Sequence, residues 1–267
     1  MKRKAAVAGS FYSGSNTELK QHVASLMPEG AVRRKVIAAM SPHAGLIYSG
    51  SVAGLVYSGM EPPDTFVLLG PNHTGMGAKV AMMAEGSWEI PTGSLEIDGG
   101  LAESIASRTD IVSRDEDAHI HEHSLEVQLP FIIETAPGAR IVPITIMSAS
   151  LEELIELGIA VASAVRESGT SVVVVASTDM SHFISEKEAR ELDQHALDRV
   201  LDLDPRGLYH KVLEEGITMC GFMPTVAMLA ASKELGATRA ELLRYTTSAE
   251  VSGDFEKVVG YAGVLIS

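Results

Sequence analysis

The stretch Val172-Val173-Val174-Val175-Ala176-Ser177-Thr178-Asp179-Met180-Ser181-His182 decides the fold. Its apolar run shows no alternation and is β-branched up to Ala176, the pattern of a parallel strand covered by helices on both faces. The run stops at Ser177 and releases a polar segment carrying a carboxylate and an imidazole. In open α/β sheets ligands bind beyond the carboxyl ends of the strands, so Asp179 and His182 stand where chemistry is expected.

Similar β-rich runs occupy residues 36–40, 66–69, 141–146 and 258–266, and helical patterns lie between them at 151–167, 186–200 and 225–235. The last helix is entered through Pro224, which suits a first helical turn. Ser15-Asn16-Thr17-Glu18 and Ser150-Leu151-Glu152-Glu153 both match the capping box, in which two side chains satisfy each other's free backbone donors. This alternation, with no repeat and no linker, predicts one α/β domain over residues 1–267. Its expected architecture is three α/β/α layers around a mostly parallel central sheet. Residues 76–98, with Trp88, Pro91 and several glycines, have a weaker pattern and read as an antiparallel excursion or an irregular flap.

With 267 residues, 46% of them hydrophobic, the chain is long enough to bury a sizeable core. Lysine and arginine number 21 against 35 acidic residues, a formal charge of −14, which argues against nucleic acid and anionic membrane surfaces as partners. The single cysteine, Cys220, closes no intrachain disulfide and fits a reducing cytosol. Met1-Lys2-Arg3-Lys4 has the charge of a signal n-region, but the apolar stretch after it ends at Gly9-Ser10. No apolar run approaches the ~20 residues of a spanning helix, so the expected location is cytoplasmic.

Two further strand ends repeat the pattern of the first. One runs into Ser41-Pro42-His43-Ala44-Gly45 and another into Gly70-Pro71-Asn72-His73. A single strand-end histidine is more often a hydrogen-bonded structural residue, but three histidines and an aspartate at one sheet edge mark a site. The tract His119-Ile120-His121-Glu122-His123-Ser124-Leu125-Glu126 reads either as a metal-binding run or as a solvated loop near a helix cap. His123 and Glu126 are its candidate pocket residues, ahead of His119 and His121. Its spacing is not H-E-x-x-H, which excludes the zincin reading. Cys220, before Gly221 and a helix start, is either an inert buried hydrophobe or a thiolate favoured by the helix dipole.

Taken together, Ala8-Gly9-Ser10-Phe11-Tyr12, Pro42-His43-Ala44-Gly45, Gly70-Pro71-Asn72-His73, His123-Ser124-Leu125-Glu126 with Leu129-Pro130-Phe131, the segment from Ser177 to His182, Cys220-Gly221 and Val259-Gly260-Tyr261-Ala262-Gly263 resemble, in order, the motifs of the Memo-like proteins. The resemblance spans nearly the whole chain. It implies a fold similar to the class III extradiol dioxygenases, non-haem iron enzymes that open aromatic rings. It further implies His43, His73 and Cys220 as metal ligands, with Asp179, His182 and His123 as catalytic groups of the same pocket. The dioxygenases hold iron with two histidines and a carboxylate, whereas a thiolate takes the third place here. Fe(II) is the expected metal, with copper or zinc as alternatives. Three readings follow from this: a metal-dependent oxidoreductase of unknown substrate, in which His182 is general acid or base and Asp179 orients it; a zinc hydrolase on the same scaffold; and a non-catalytic module that sequesters metal or accepts a small-molecule or peptide ligand. The resemblance also implies a pathway shared with a radical SAM protein.

Overall fold

A computed structural model describes residues 1–267. Its strands are β1 (Lys2–Lys4), β2 (Ala38–Ser41), β3 (Thr65–Pro71), β4 (Val80–Met82), β5 (Ser87–Ile90), β6 (Gly93–Glu96), β7 (Ser113–Arg114), β8 (Arg140–Ile146), β9 (Val172–Ser177), β10 (His182–Ile184), β11 (Ala240–Thr247) and β12 (Val258–Ile266). The helices are α1 (Asn16–Leu26), α2 (Leu46–Ser58), α3 (Gly99–Ala106), α4 (Asp117–Ile120), α5 (Leu129–Thr135), α6 (Leu151–Ser168), α7 (Glu186–Leu201), α8 (Pro205–Glu215), α9 (Phe222–Glu234) and α10 (Ala249–Ser252). The expected strand and helix runs are all present, with ends shifted by no more than a few residues.

The heart of the main sheet is the parallel set β2-β9-β3-β8. These strands are buried on both faces because alternate residues feed two separate cores. Val67, Leu69, Val174 and Ala176 face α6, α8 and α9, while Phe66, Leu68, Val173 and Val175 face α2, α5 and the small β1-β5-β6 sheet. Burying each such Val, Leu or Phe fully contributes about 1.5–3 kcal/mol, which is why the runs carry no alternation. Three α/β/α layers result, as expected.

The sheet itself is mixed rather than mostly parallel, its pairings dividing evenly between the two directions. β12 lies antiparallel to both β2 and β11, and its first residues pair antiparallel with β10. Apolar runs report two-sided burial and not direction. The short segment 248–257 between β11 and β12 cannot provide a crossover helix, so the chain folds straight back. β4 likewise returns antiparallel against β8. The excursion at 76–98 becomes β4 and the β5-β6 hairpin, and β5 also pairs with β1.

Only one of the two expected capping boxes closes. Ser150 and Glu153 satisfy each other at the start of α6, which ends at Gly169 with φ +68. At α1 the Ser15 hydroxyl accepts the Glu18 amide, but the Glu18 carboxylate turns to the Ser13 hydroxyl at 2.6 Å. Ser13 also takes the Ser15 amide, leaving the reciprocal half of the box unmade.

Candidate metal centre

His43 follows β2, His73 follows β3, Asp179 and His182 follow β9, and His123 lies between α4 and the short 3-10 turn Glu126–Gln128. All five line one cleft of about 510 Å³. The ligating atoms of His43, His73 and His123 come within 4.8 Å of one another. The His73 and His123 rings stack at 4.7 Å, and the His43 ring stands edge-on to both.

A hub of neutral hydrogen bonds orients His43. The buried Ser177 hydroxyl donates to the Ser124 carbonyl at 2.7 Å and lies 2.9 Å from His43 Nδ1. A hydroxyl has one hydrogen and a carbonyl can only accept, so His43 Nδ1 is the donor to Ser177. The Gln128 amide donates to the same hydroxyl and to the Pro42 carbonyl, and its own oxygen accepts from Tyr57. This fixes the tautomer and leaves the lone pair of His43 Nε2 facing the cleft. Burial, and then the neighbouring imidazoles, hold the His43 pKa well below the usual imidazole value. The ring is therefore neutral at neutral pH, as a metal ligand must be.

Glu122 plays the corresponding part for His73. Its carboxylate lies 2.9 Å from His73 Nδ1, accepts the His73 backbone amide, and takes the amides of His123 and Ser124 at 2.8 Å. Burial works to raise the Glu122 pKa, but the hydrogen bond and charge of His73 and these amides outweigh it and hold it down to about 2. An ionised carboxylate only accepts, so His73 Nδ1 also carries its proton and presents Nε2. Glu122 Oε1 is 3.3 Å from His123 Nδ1 as well. Burial lowers the His123 pKa despite that carboxylate.

His182 repeats the device with the Thr218 carbonyl, 3.0 Å from its Nδ1, while its amide donates to the Thr218 hydroxyl. The next residue, Phe183, is exposed and has φ +60, a left-handed conformation unusual for an aromatic, where the β10-β12 register is irregular. Asp179 accepts the His43 amide at 2.8 Å. Its burial raises the carboxyl pKa to about 6, against the pull of the His43 and Ala44 amides and the His182 charge.

The Cys220 sulfur rests 3.4 Å from His43 Nε2 and accepts the Asp179 amide, at the margin of the histidine group. Position before a helix suggests a favoured thiolate, yet burial, and after it the Asp179 carboxylate, push the thiol up. Without a bound cation the sulfur stays protonated. Gly221 permits this approach, since a Cβ there would meet the Ser177 carbonyl and stand 2.5 Å from Thr178 Cβ.

Glu126 lies outside the cleft. It is fully buried and accepts from Arg3 at 2.6 Å, from the Ala6 and Val7 amides and from the Tyr12 hydroxyl, tying the Ala8–Tyr12 motif to the site loop from behind. Arg3 also donates to the His119 and Glu122 carbonyls and lies over Trp88. His119 is buried against Trp88 with neither ring nitrogen hydrogen-bonded, and His121 is exposed. Ser177, Gln128 and Glu122 are the site residues that sequence reasoning passed over. Ser177 and Glu122 stand inside motifs quoted above, as the polar neighbours of histidines.

A family model described as Memo-like protein matches residues 3–265. A MEMO1 family protein of Methanothermobacter thermautotrophicus is 41% identical over 274 residues, covering 98% of this chain and 99% of that one. Another from Methanosarcina barkeri is 42% identical, with 99% of each chain covered, and one from Pyrobaculum aerophilum is 40% identical, with 98% of each covered. Among solved structures, an uncharacterized protein of Escherichia coli K12 superposes with a TM-score of 0.61 at 14% identity, covering 86% of this chain and 99% of that one. That likeness is one of fold alone.

Proposed function

The chain belongs to the Memo-like protein family, and from that premise we propose that it holds one divalent metal ion at His43, His73 and His123 and uses it, as Fe(II) or copper, in an oxidoreductase reaction. The observation that carries this reading is the anchoring of the imidazoles. His43 and His73 each have Nδ1–H engaged behind the ring, by Ser177 and Glu122, with Nε2 turned to a common point. Such partners are what metal-binding histidines have in their outer shell. A redox-active ion there would supply electron transfer and Lewis acidity, at positions that three protein ligands leave open.

The chain's own groups manage protons around that point. His182, its Nδ1 tied to the Thr218 carbonyl, presents Nε2 to the cleft, and Asp179, whose burial raises its pKa to about 6, can hold a proton there. Cys220, beside His43, is the alternative third donor that the family resemblance implies.

Anaerobic titration of the metal-free protein with Fe(II), Cu(II) and Zn(II), on wild type and the His73→Ala, His123→Ala and Cys220→Ala variants, tests the ligand set. The expected order of loss is His73→Ala and His123→Ala above Cys220→Ala. If Cys220→Ala loses more than His123→Ala, sulfur displaces His123 as third ligand. Wild type that binds none of the three ions overturns the proposal. Zinc alone in anaerobically purified protein would replace the redox reading with a hydrolytic one.

A further inference from the structure

Beside the histidines, the wall of the cleft comes from segment 248–257, from β12 and from α2. It is rich in donors that have no partner inside the protein: Ser252 and Lys257 are exposed at its rim, Tyr48 is 39% exposed and Tyr261 is buried. The Ser248 hydroxyl accepts the Val259 amide at 3.0 Å and the Ser252 hydroxyl accepts the Asp254 amide at 3.1 Å, so each has its acceptor side engaged and its own O–H undonated. Tyr48 and Tyr261 line the same cleft with no hydrogen-bond partner for either phenol. Tyr261 is only 2% exposed, yet its hydroxyl is not sealed in the interior, so the ring is packed and the O–H opens to the cleft. The Lys257 ammonium, exposed and without an ion pair like most lysines of the chain, is the cationic group of this wall. The acidic group on this wall, Asp254, directs Oδ1 at the amides of Glu256 and Lys257 and so acts as a turn former.

We propose that the cleft takes a small organic anion, its carboxylate or phosphate group held by Lys257 and the Ser248 and Ser252 hydroxyls, with the Tyr48 and Tyr261 phenols donating to further oxygens along the molecule. A ligand oriented this way presents its other end to the histidines. The inference names the substrate class of the metal pocket and in that respect rests on the metal reading. The donor wall is nonetheless made by residues that hydrogen-bond to none of the three imidazole ligands. An anion is the chemistry that matches it, because hydroxyl donors and one ammonium around a cleft favour a ligand with acceptors in excess.

Binding of benzoate and of its uncharged counterpart benzamide, measured by ligand-observed NMR on metal-free and metal-loaded protein, tests it. Inorganic phosphate serves as competitor. The expected result is a preference for benzoate of at least roughly tenfold, reduced about 10- to 100-fold in affinity by Lys257→Met and several-fold by Tyr261→Phe. Both variants should keep the wild-type melting temperature, since neither group has a partner inside the protein. Displacement by phosphate at comparable concentration assigns the wall to phosphate esters as well; absence of displacement restricts it to carboxylates. If benzoate and benzamide bind alike, if neither binds, or if the preference survives Lys257→Met, the proposal is wrong. A benzoate preference that requires metal and ignores Lys257→Met would mean the anion ligates the ion, which refutes the donor wall and leaves the metal site standing. A preference that persists without metal supports the wall whatever the fate of the metal reading.

Discussion

Replacing Ser177 by alanine removes one oxygen that serves three groups. The Gln128 amide keeps its bond to the Pro42 carbonyl, but the Ser124 carbonyl and His43 Nδ1–H are left without partners in a fully buried place. Each orphaned group costs about 1–3 kcal/mol, so the pair would cost about 2–6 kcal/mol. His43 has an escape: moving its proton to Nε2 relieves Nδ1 and lowers the expected loss to about 1–3 kcal/mol. That escape converts the ligating nitrogen into a donor, and metal affinity should fall about 10- to 100-fold, the usual effect of losing an outer-shell partner. The control lies next door. Ser41 is the register partner of Ser177 on β2, is equally buried, and its hydroxyl has no hydrogen-bond partner. Ser41→Ala should therefore leave stability unchanged or slightly raised, and metal affinity unchanged. Urea unfolding gives the stabilities, anaerobic titration the affinities, and 15N chemical shifts of the imidazole nitrogens the tautomer. A folded Ser177→Ala protein that binds metal as tightly as wild type, or equal losses in the two variants, would refute the argument from the hub.

Three other outcomes follow from the same structure. Glu126→Gln leaves the buried Arg3 guanidinium without its carboxylate and should lower unfolding free energy by about 3–5 kcal/mol in urea, while any folded fraction binds metal normally. His119, whose pKa burial above all and then the Arg3 charge push down to about 4, takes up its proton more readily unfolded, near 6.5. The unfolded state thus binds more protons across that interval, so stability should fall as pH drops below ~6.5, the His119 part reaching at most ~3 kcal/mol near pH 4. His119→Leu should flatten that slope in thermal melts at stepped pH, and an unchanged slope would clear His119 of the role. Gly221→Ala drives a methyl group into the Ser177 carbonyl and the Thr178 side chain and should cost about 1–3 kcal/mol with loss of the Cys220 position, read by calorimetry and by thiol reactivity.

Much of this molecule is legible in its sequence because strand ends are. The abrupt stops after the runs at 36–40, 66–69 and 172–176 place His43, His73, Asp179 and His182 at one edge before any coordinate is known, and parallel packing then brings them together. Direction of pairing is not legible in the same way. The run at 258–266 is as apolar as its neighbours, and only the short return from β11 makes it antiparallel. The tract around His119 was ambiguous for a physical reason: its members diverge within a few residues, His123 into the cleft, His119 into the core and His121 to the surface. Ser177 and Glu122 carry no signal of their own as anchors, since serine and glutamate beside a loop usually face water. The hydroxyls of segment 248–257 have only their place in the fold to mark them.

Of the twelve strands β12 leaves the ribosome last, yet it takes an interior place in the sheet between β2 and β11. Until it arrives, β2 presents a free edge next to the Pro42-His43 turn, and the cleft lacks Tyr261 and Lys257. An open apolar edge is a template for pairing with another chain, so the nascent protein passes through a stage exposed to aggregation that the finished one does not share. Its pairing with β2 joins residues more than two hundred positions apart, which delays that pairing in folding. Interactions made that late act chiefly on the unfolding rate, so a ligand bound against β12 should lengthen the lifetime of the native state far more than it hastens its formation.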